Sequence, residues 1–375
     1  MEAALFFSPA QAELSYGAGH PFQVERLADV MRMCSALGLL RDRTPRPAAR
    51  AARAELERFH HPDYLDALEH GEKLDTRERV LWGLGNEDCP VFPGLWESCL
   101  LVAGGSIGAA RWLVEGLRAG VARRAFHPAG GLHHAHADRA SGFCYVNDGV
   151  LAIRELVEAG YRVLYVDVDA HHGDGVQEAF YETERVLTVS VHQDGRTLFP
   201  GTGFPNEIGR GPGTGYAVNI PLLPGASDED YDAVRETLLE PLRAWFRPDV
   251  IVTEIGVDSL RDDPLTLLDW TLAGLERFVR WCERGGTPWL ALGGGGYRRW
   301  NVIRGWSLVW ARMIGAELPE RRPTDGAGGP LPDSWPVRLW DEPPPRSICD
   351  ASMRRAHLEE VRATLADLVF SRMDR

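Results

Sequence analysis

Short apolar runs alternate with segments of helical periodicity through the middle of the chain. Runs rich in β-branched and aromatic residues are typical of buried strands, whereas apolar residues at helical spacing are typical of amphipathic helices. The predicted strands are 4–7, 123–128, 162–169, 185–192, 248–256 and 288–296. The predicted helices include 228–246 and 267–285. Strands that alternate with helices indicate an α/β fold, in which helices cover both faces of a parallel sheet.

The chain contains no internal repeat, and we predict a single domain over residues 1–375. Residues 318–346 are rich in proline and glycine, which predicts an irregular surface excursion. After this excursion we predict a C-terminal helix at about 350–372 that docks on the body of the domain.

Composition and charge narrow the classes of partner. The net charge of -13 argues against binding of nucleic acid or anionic membranes, because both need clustered lysine and arginine. The six cysteines form no CxxC pair, so neither a thiolate metal site nor a disulfide framework is predicted. We find no apolar run near the ~20 residues that span a bilayer, and the N-terminus lacks the basic start of a signal peptide. We therefore predict a cytoplasmic protein and make no prediction of its oligomeric state.

Candidate chemistry begins at "LYVDVDAHHGDGV" (164–176), where two aspartates lie on a buried strand and histidines follow. Side chains alternate along a strand, so Asp167, Asp169 and His171 share a face if the extended conformation persists that far. Buried carboxylates are costly unless they are paired or coordinate a metal. The alternative is a strand end with an Asp-Gly turn and two solvated histidines.

Three further segments also follow predicted strands: "GGLHHAHADRASGFCYVND" (130–148), "GVDSLRDDPL" (256–265) and "LGGGGY" (292–297). Ligands of open α/β sheets bind outside the carboxyl ends of the strands, so these loops are expected to converge. Each has an ordinary structural explanation when taken alone. Together, Asp169, His171 and Asp258 form a metal-ligand set, while other side chains could supply acid–base and oxyanion chemistry. Those side chains are His133, His134 and Tyr297, and the combination indicates metal-assisted hydrolysis.

These motifs, in this order and spacing, resemble the metal-dependent histone deacetylase family. The resemblance extends from about 16–27 to 292–306 and includes "TVSVHQDGRTLFPGTG". The segment "GLGNEDCPVFPG" (83–94) is more similar to the bacterial acetoin-utilization branch than to eukaryotic members. The resemblance implies one arginase/deacetylase-like domain with an eight-stranded parallel sheet.

The resemblance also implies roles for particular residues. Zinc, with iron(II) as the alternative, is assigned to Asp169, His171 and Asp258. His133 and His134 match the tandem histidines at the metal, paired with Asp167 and Asp174 respectively. Tyr297 matches the tyrosine that polarises the amide carbonyl. Of the two histidines we favour His134 as the principal base, and His172 receives no catalytic role.

Further matches concern the substrate and structural ions. The acyl-lysine channel is assigned to Gly142, Phe143, Phe199 and Leu265, a rim contact to the substrate backbone to Asp88, and an acetate exit to Arg26. One structural potassium is assigned to Asp167, Asp169, His171, Ser190 and Val191. A second potassium is assigned to Phe180, Thr183, Val186 and Tyr216.

Two positions depart from the family pattern. Glu254 stands where glutamine is usual, and Ser259 stands where threonine is common. Glu254 either adds negative charge that raises the basicity of the water at the metal, or is exposed.

The predicted function is hydrolysis of N-acetyl-lysine in proteins or peptides. Acetylpolyamines and other small N-acetyl amines are the alternative substrates, and an inactive acyl-lysine-binding module is the alternative from another class. An arginase-like dinuclear manganese hydrolase would need bridging carboxylates where this chain has Gly173 and Gly256.

Overall fold

The computed structural model describes residues 1–13, 15–17, 19–326, 329–342 and 348–373. Among these residues, seven parallel strands form one sheet: β1 (Glu2–Leu5), β2 (Arg123–His127), β3 (Val163–Asp167), β4 (Val186–Gln193), β5 (Ala217–Leu222), β6 (Val250–Glu254) and β7 (Trp289–Leu292). The strand order is β1-β2-β7-β6-β3-β4-β5. A small antiparallel ribbon joins β8 (Asp325–Gly326) to β9 (Gly329–Pro330).

Helices on both faces complete the fold. They are α1 (Arg26–Ala36), α2 (Arg53–Leu56), α3 (Pro62–Glu69), α4 (Thr76–Leu81), α5 (Leu95–Arg118), α6 (Asp148–Glu158), α7 (Asp174–Phe180), α8 (Asp228–Val234), α9 (Glu240–Phe246), α10 (Leu272–Glu283), α11 (Arg299–Met313) and α12 (Ala351–Leu368). A π-helical turn, Arg235–Leu239, connects α8 to α9 without a break. This wider turn ends two residues before Pro241, whose ring nitrogen cannot donate the usual helical hydrogen bond.

The α/β prediction is confirmed. Strands β3, β4 and β6 are buried along their whole length, which matches their nearly continuous apolar sequences. The resemblance implied eight strands, and the described residues contain seven in the main sheet. Beyond β1, one parallel bridge between Phe6 and Arg46 extends the edge. Strand β5 was missed because Asn219 and Pro221 interrupt its apolar run.

Helix α5 corrects one expectation from the sequence. It is 24 residues long, and by length and composition alone it is apolar enough to cross a membrane. In the fold, 67% of its most apolar window is buried, and the helix packs against α6 and β2. Its apolar character is therefore accounted for by the protein core.

The proline- and glycine-rich excursion is partly built into the core. The apolar side chains that it buries are Leu318, Leu331, Trp335 and Leu339. The buried guanidinium of Arg304 on α11 donates from Nη1 to the Leu339 carbonyl at 3.3 Å and lies 2.6 Å from Asp341 Oδ1. Residues 327–328 and 343–346 of the excursion lie outside the described residues. Helix α12 follows and buries Leu358, Val361 and Leu365.

A glycine pair on α5 tests how tightly this helix is packed. A Cβ on Gly104 would lie 1.9 Å from the Ala49 carbonyl oxygen, whereas a Cβ on Gly108 would meet only Phe6 Cε1 at 3.9 Å. We expect Gly104→Ala to lower the free energy of unfolding by ~1–3 kcal/mol. Gly108→Ala should leave it unchanged or raise it by up to ~1 kcal/mol, because alanine is the better helix former. Urea unfolding of the two variants measures this difference, and equal effects would contradict it.

Candidate active site

The predicted site residues lie in loops after neighbouring strands. The loops follow β2, β7, β6 and β3, which are adjacent in the centre of the sheet. Because the strands are parallel, their carboxyl ends lie at one edge, and the loops converge there. The convergence expected from the sequence is therefore present in the fold.

Asp169, His171 and Asp258 form a buried cluster of potential metal ligands. His171 Nδ1 lies 3.0 Å from Asp169 Oδ1 and 2.9 Å from Asp258 Oδ2. Ligands of a tetrahedral zinc, at 2.0–2.1 Å from the metal, are about 3.3 Å apart. The three side chains can therefore hold one divalent ion with little rearrangement.

The charges in this cluster point to the same conclusion. Burial alone would lower the pKa of His171, but its bonds to Asp169 and Asp258 raise it to about 10. Burial and the neighbouring Asp169 raise the pKa of Asp258 to about 7. A pKa of about 10 keeps His171 protonated at neutral pH, so a proton compensates part of the negative charge of the two carboxylates. A divalent cation would supply this positive charge instead, with the imidazole neutral.

Glycines make room for the cluster. A Cβ on Gly256 would lie 1.9 Å from Asp169 Oδ2, and one on Gly295 would lie 2.2 Å from Asp258 Oδ2. The Gly295 N–H instead donates to Asp169 Oδ2 at 2.7 Å. Arg26 holds this loop from behind, through bonds of 2.5 and 2.8 Å to the carbonyls of Gly296 and Gly294.

The tandem histidines each bond a carboxylate. His133 Nδ1 donates to Asp167 Oδ2 at 2.8 Å, and His134 Nδ1 donates to Asp174 Oδ1 at 2.7 Å. These are the pairs that the resemblance implied. With Nδ1 engaged as donor, Nε2 of a neutral imidazole is an acceptor, which is the form a general base needs.

The two histidines differ in charge. Burial opposes protonation of His133, but Asp167 and Glu254 raise its pKa well above the ordinary value. Burial, together with the charge on His133, lowers the pKa of His134 to about 4 despite Asp174. At neutral pH, His134 is therefore the unprotonated member of the pair.

Glu254 is fully buried, so the exposed alternative from the sequence is wrong. It lies level with Asp167 on the neighbouring strand. Its Oε2 accepts from the Tyr165 hydroxyl at 3.3 Å, while Oε1 has no hydrogen-bond partner among the described residues. Burial raises the pKa of its carboxyl well above the usual range. Glutamate has nearly the size and shape of glutamine, which explains how it fits at a position where the family has glutamine.

Glu254 also lies near His133 and Asp169 in a second arrangement of potential ligands. His133 Nδ1 is already bonded to Asp167, and it lies 3.6 Å from Glu254. We therefore assign the metal-holding capacity to the cluster of Asp169, His171 and Asp258, in which all three side chains converge directly.

Tyr297 is positioned by a residue that sequence analysis missed. Its backbone N–H donates to Asp263 Oδ2 at 2.8 Å, and Asp263 is buried. The Tyr297 ring lies 5.8 Å from Phe143 and 6.3 Å from His171, between centroids. Burial raises the pKa of its hydroxyl well above 10, so it remains a donor at neutral pH. The acidic pair in "RDDP" was the available sequence signal.

A second missed residue supports the histidine loop. Asp148, at the start of α6, accepts from the N–H groups of Gly131 at 3.0 Å and Leu132 at 2.9 Å, and from Ser106 Oγ at 2.5 Å. The preceding Asn147 caps α6. The "ND" pair before a helical pattern is the sequence signal that identifies both residues.

The predicted channel residues line one cavity of about 240 Å³. It is bounded by Asp88, His134, Gly142, Phe143, His171, Leu198, Phe199, Leu265 and Tyr297. Gly142 must be glycine, because a Cβ there would lie 2.6 Å from the His134 ring and 2.8 Å from the Phe199 ring. Asp88, Phe199 and Leu265 are exposed at the cavity mouth.

The remaining predicted residues lie around this centre. Arg26 borders a separate internal cavity of about 30 Å³.

Ser190 pairs in register with Asp167, and its hydroxyl is bonded to His192. Thr183 N–H donates to the Phe180 carbonyl at 3.3 Å. His172 bonds Thr202. Ser259 donates to the Gly256 carbonyl at 3.2 Å. The other residues predicted to bind potassium are Val186 and Val191 on β4 and Tyr216 just before β5.

Comparison with known proteins defines the class. A family model described as "Histone deacetylase domain" matches residues 20–313. Histone deacetylase B of Dictyostelium discoideum is 41% identical over 320 residues, which cover 85% of this chain and 75% of that protein. Histone deacetylase RPD3 of Saccharomyces cerevisiae is 41% identical over 308 residues, covering 81% and 70%.

A solved structure agrees with these sequence matches. The crystal structure of an HDAC homolog complexed with SAHA has a TM-score of 0.85 and 31% identity, and the match covers 96% of this chain and 100% of that one. The chain belongs to the histone deacetylase family. The prediction that it is a hydrolase of the deacetylase type is confirmed.

Metal stoichiometry can distinguish the two ligand arrangements. After chelation and reloading with zinc, we expect about one tightly held ion per chain in the wild type. Asp258→Asn should weaken zinc binding by more than about 100-fold, because it replaces a carboxylate in the assigned cluster. Glu254→Gln is the matched control and should retain the ion. Two tightly held ions in the wild type, or loss of the ion in Glu254→Gln, would contradict the assignment.

Proposed function

We propose that the chain is a zinc-dependent deacetylase that hydrolyses N-acetyl-lysine in proteins or peptides to lysine and acetate. The observation that carries the proposal is a narrow channel that reaches His134, His171 and Tyr297 together. A slender acylated side chain can enter such a channel with its amide against an imidazole, a phenol hydroxyl and the metal-holding cluster.

Zinc, with iron(II) as the alternative, would be held by Asp169, His171 and Asp258. A bound zinc ion polarises a carbonyl and lowers the pKa of a water molecule to about 7. The fit to this chain rests on two buried carboxylates and one imidazole whose ligand atoms lie within 4.8 Å of one another.

His134 is the proposed general base and, later, the acid that protonates the leaving amine. Its lowered pKa keeps it unprotonated at neutral pH, and Asp174 orients its ring through Nδ1. His133, beside it with ring centroids 4.0 Å apart, is assigned an electrostatic role, since two carboxylates favour its protonated form.

Acetylpolyamines are the second candidate substrate, and one observation favours them. Asp88 places an exposed carboxylate at the cavity mouth, where it can bind either a peptide N–H or the ammonium of a polyamine. We favour acetyl-lysine because Phe199 and Leu265, also exposed at the mouth, offer apolar contact to a polypeptide.

The proposal includes four further features of the protein. They are the two potassium sites, an acetate exit past Arg26, a cytoplasmic location and membership of the bacterial acetoin-utilization branch. The support for the exit is that Arg26 borders a small cavity, of about 30 Å³, that is separate from the channel.

A substrate panel tests the proposed function. We expect kcat/KM for an acetyl-lysine peptide to exceed that of the matching acetyl-ornithine peptide by ~100-fold, because one methylene fewer misplaces the carbonyl by ~1 Å. Phe143→Ala should raise KM and reduce this discrimination, and Leu267→Ala, outside the cavity lining, should change neither. Higher kcat/KM for acetylpolyamines would replace the proposed substrate, and absence of turnover on every acetylated amine would favour a binding module.

The Tyr297 hydroxyl has a separate test. Tyr297→Phe should lower kcat by roughly 10²–10³, the range for loss of an oxyanion donor, while KM changes little. Steady-state kinetics on the acetyl-lysine peptide measure both constants. A raised KM with unchanged kcat would assign the hydroxyl to substrate binding instead.

A further inference from the structure

Two loops from different parts of the chain form walls of the substrate channel near its mouth. The Phe199 loop (194–203) follows β4 and lines the channel with Leu198 and Phe199. The Leu265 loop (262–268) lies beyond β6 and lines the channel with Leu265. Phe199 is 44% exposed and Leu265 is 36% exposed, so packing in the core does not fully fix either wall. Their separation therefore depends on other contacts between the loops.

Gln193, the last residue of β4, contacts both loops through its buried side chain. Its Nε2 donates to Thr197 Oγ1 in the Phe199 loop at 3.1 Å. Its Oε1 accepts from the Leu267 N–H in the Leu265 loop at 2.8 Å. Among the described residues, no hydrogen bond joins the two loops directly. The amide of Gln193 is therefore the hydrogen-bonded link between these two walls.

The partners determine which end of the amide faces each loop. The Leu267 N–H can only donate, so the amide oxygen must face it. The Thr197 hydroxyl already donates to the Asp194 carbonyl at 2.9 Å, so it accepts from the amide nitrogen. Glutamine thus matches both partners. An apolar side chain of the same length would leave the Leu267 N–H without its acceptor.

The link is also anchored at its ends. The backbone N–H of Gln193 donates to the Ala170 carbonyl at 2.9 Å, between the metal-holding residues Asp169 and His171 in the chain. The Leu267 carbonyl accepts from the Gly225 N–H at 2.6 Å. A change at the Gln193 amide can therefore alter the distance between the walls while its own backbone stays in place.

We propose that Gln193 is a positioning residue for the substrate specificity of the deacetylation proposed above: its amide holds the Phe199 loop and the Leu265 loop at the separation that fits a slender lysine stem. Gln193 does not line the channel and acts on the substrate only through the two walls. The proposal rests on the proposed function for its kinetic readouts, but not for its hydrogen-exchange readout.

Loss of the link should affect substrate binding more than chemistry. If the walls separate, the lysine stem loses apolar contact with Phe199 and Leu265. His134 and Tyr297 are held by Asp174 and Asp263, not by Gln193, and keep their positions. KM should therefore rise while kcat is nearly unchanged, which is the kinetic signature of lost ground-state binding. A wider mouth should also discriminate less against a bulky stem.

The kinetic experiment compares Gln193→Met with the wild type on the zinc-loaded full chain. The substrates are an acetyl-lysine peptide and the same peptide with 4-(acetamidomethyl)phenylalanine, which has a bulkier stem, in place of acetyl-lysine. Methionine keeps the length of the side chain but cannot replace the amide. We expect KM for acetyl-lysine to rise ~3–10-fold, the effect of about one buried hydrogen bond. The preference in kcat/KM for acetyl-lysine over the aromatic stem should fall.

Two further variants separate the link from general damage to the fold. Gln193→Glu keeps an oxygen for the Leu267 N–H and should restore most of the wild-type KM. Leu267→Ala removes an exposed side chain but keeps the N–H, so KM should not change. A wild-type KM in Gln193→Met would overturn the proposal, as would an equal loss of activity on both substrates that Gln193→Glu does not restore.

A second readout is independent of turnover. Exchange of the Leu267 amide hydrogen, followed by NMR on the same samples, should be faster in Gln193→Met and close to the wild type in Gln193→Glu. Failure of the proposed function would leave no peptide turnover in the wild type, yet this difference in exchange would still be expected. Unchanged exchange in Gln193→Met would overturn the proposal.

A variant at the other end of the link serves if Gln193→Met does not fold. Thr197→Val keeps the shape of the side chain but removes the oxygen that accepts from Gln193. It should raise KM for the acetyl-lysine peptide in the same direction by a smaller factor, with kcat nearly unchanged. A wild-type KM in this variant would then overturn the proposal.

Discussion

The structure of the active-site edge of the sheet depends on the compensation of buried negative charge. Asp167, Asp169, Glu254 and Asp258 are all buried, and an isolated buried carboxylate costs several kcal/mol even after relaxation. Backbone N–H groups from two loops and two imidazole rings supply part of the compensation. The remainder is available to a cation, which is the electrostatic reason that this edge can hold a metal.

The loop after β7 shows how distant parts of the chain cooperate. Its glycines let backbone approach the carboxylates, and Arg26 bonds the loop carbonyls from a helix about 270 positions earlier. Asp263 fixes the following residue, Tyr297, from a third segment. The phenol hydroxyl thus owes its position to groups that never contact the channel themselves. Rigid support of this kind is what keeps a reacting geometry within the small tolerance that catalysis requires.

The local sequence pattern predicts much of the fold and of the candidate site, but not all of it. The α/β class, the strands with continuous apolar runs, and the segments that converge at the site follow from periodicity and motif. Burial of Glu254 could not be predicted, because it depends on the register that sets this residue beside Asp167 on another strand. The bond between the Gln193 side chain and the Leu267 N–H depends equally on the meeting of two segments that are 74 positions apart. Strand β5 was missed because Pro221 suggests a break, although its missing N–H is tolerated in a strand at the edge of the sheet.

Helix α5 carries a consequence for synthesis of the chain on the ribosome. As it leaves the exit tunnel, it offers a long apolar segment of the kind that targeting factors and chaperones recognise. The elements that cover it, β2 and α6, are the next two along the chain. Contacts between neighbours in sequence close quickly, so the exposed interval is short. The order of elements thus protects the nascent protein from misdirection before the distant β1 and β7 complete the sheet.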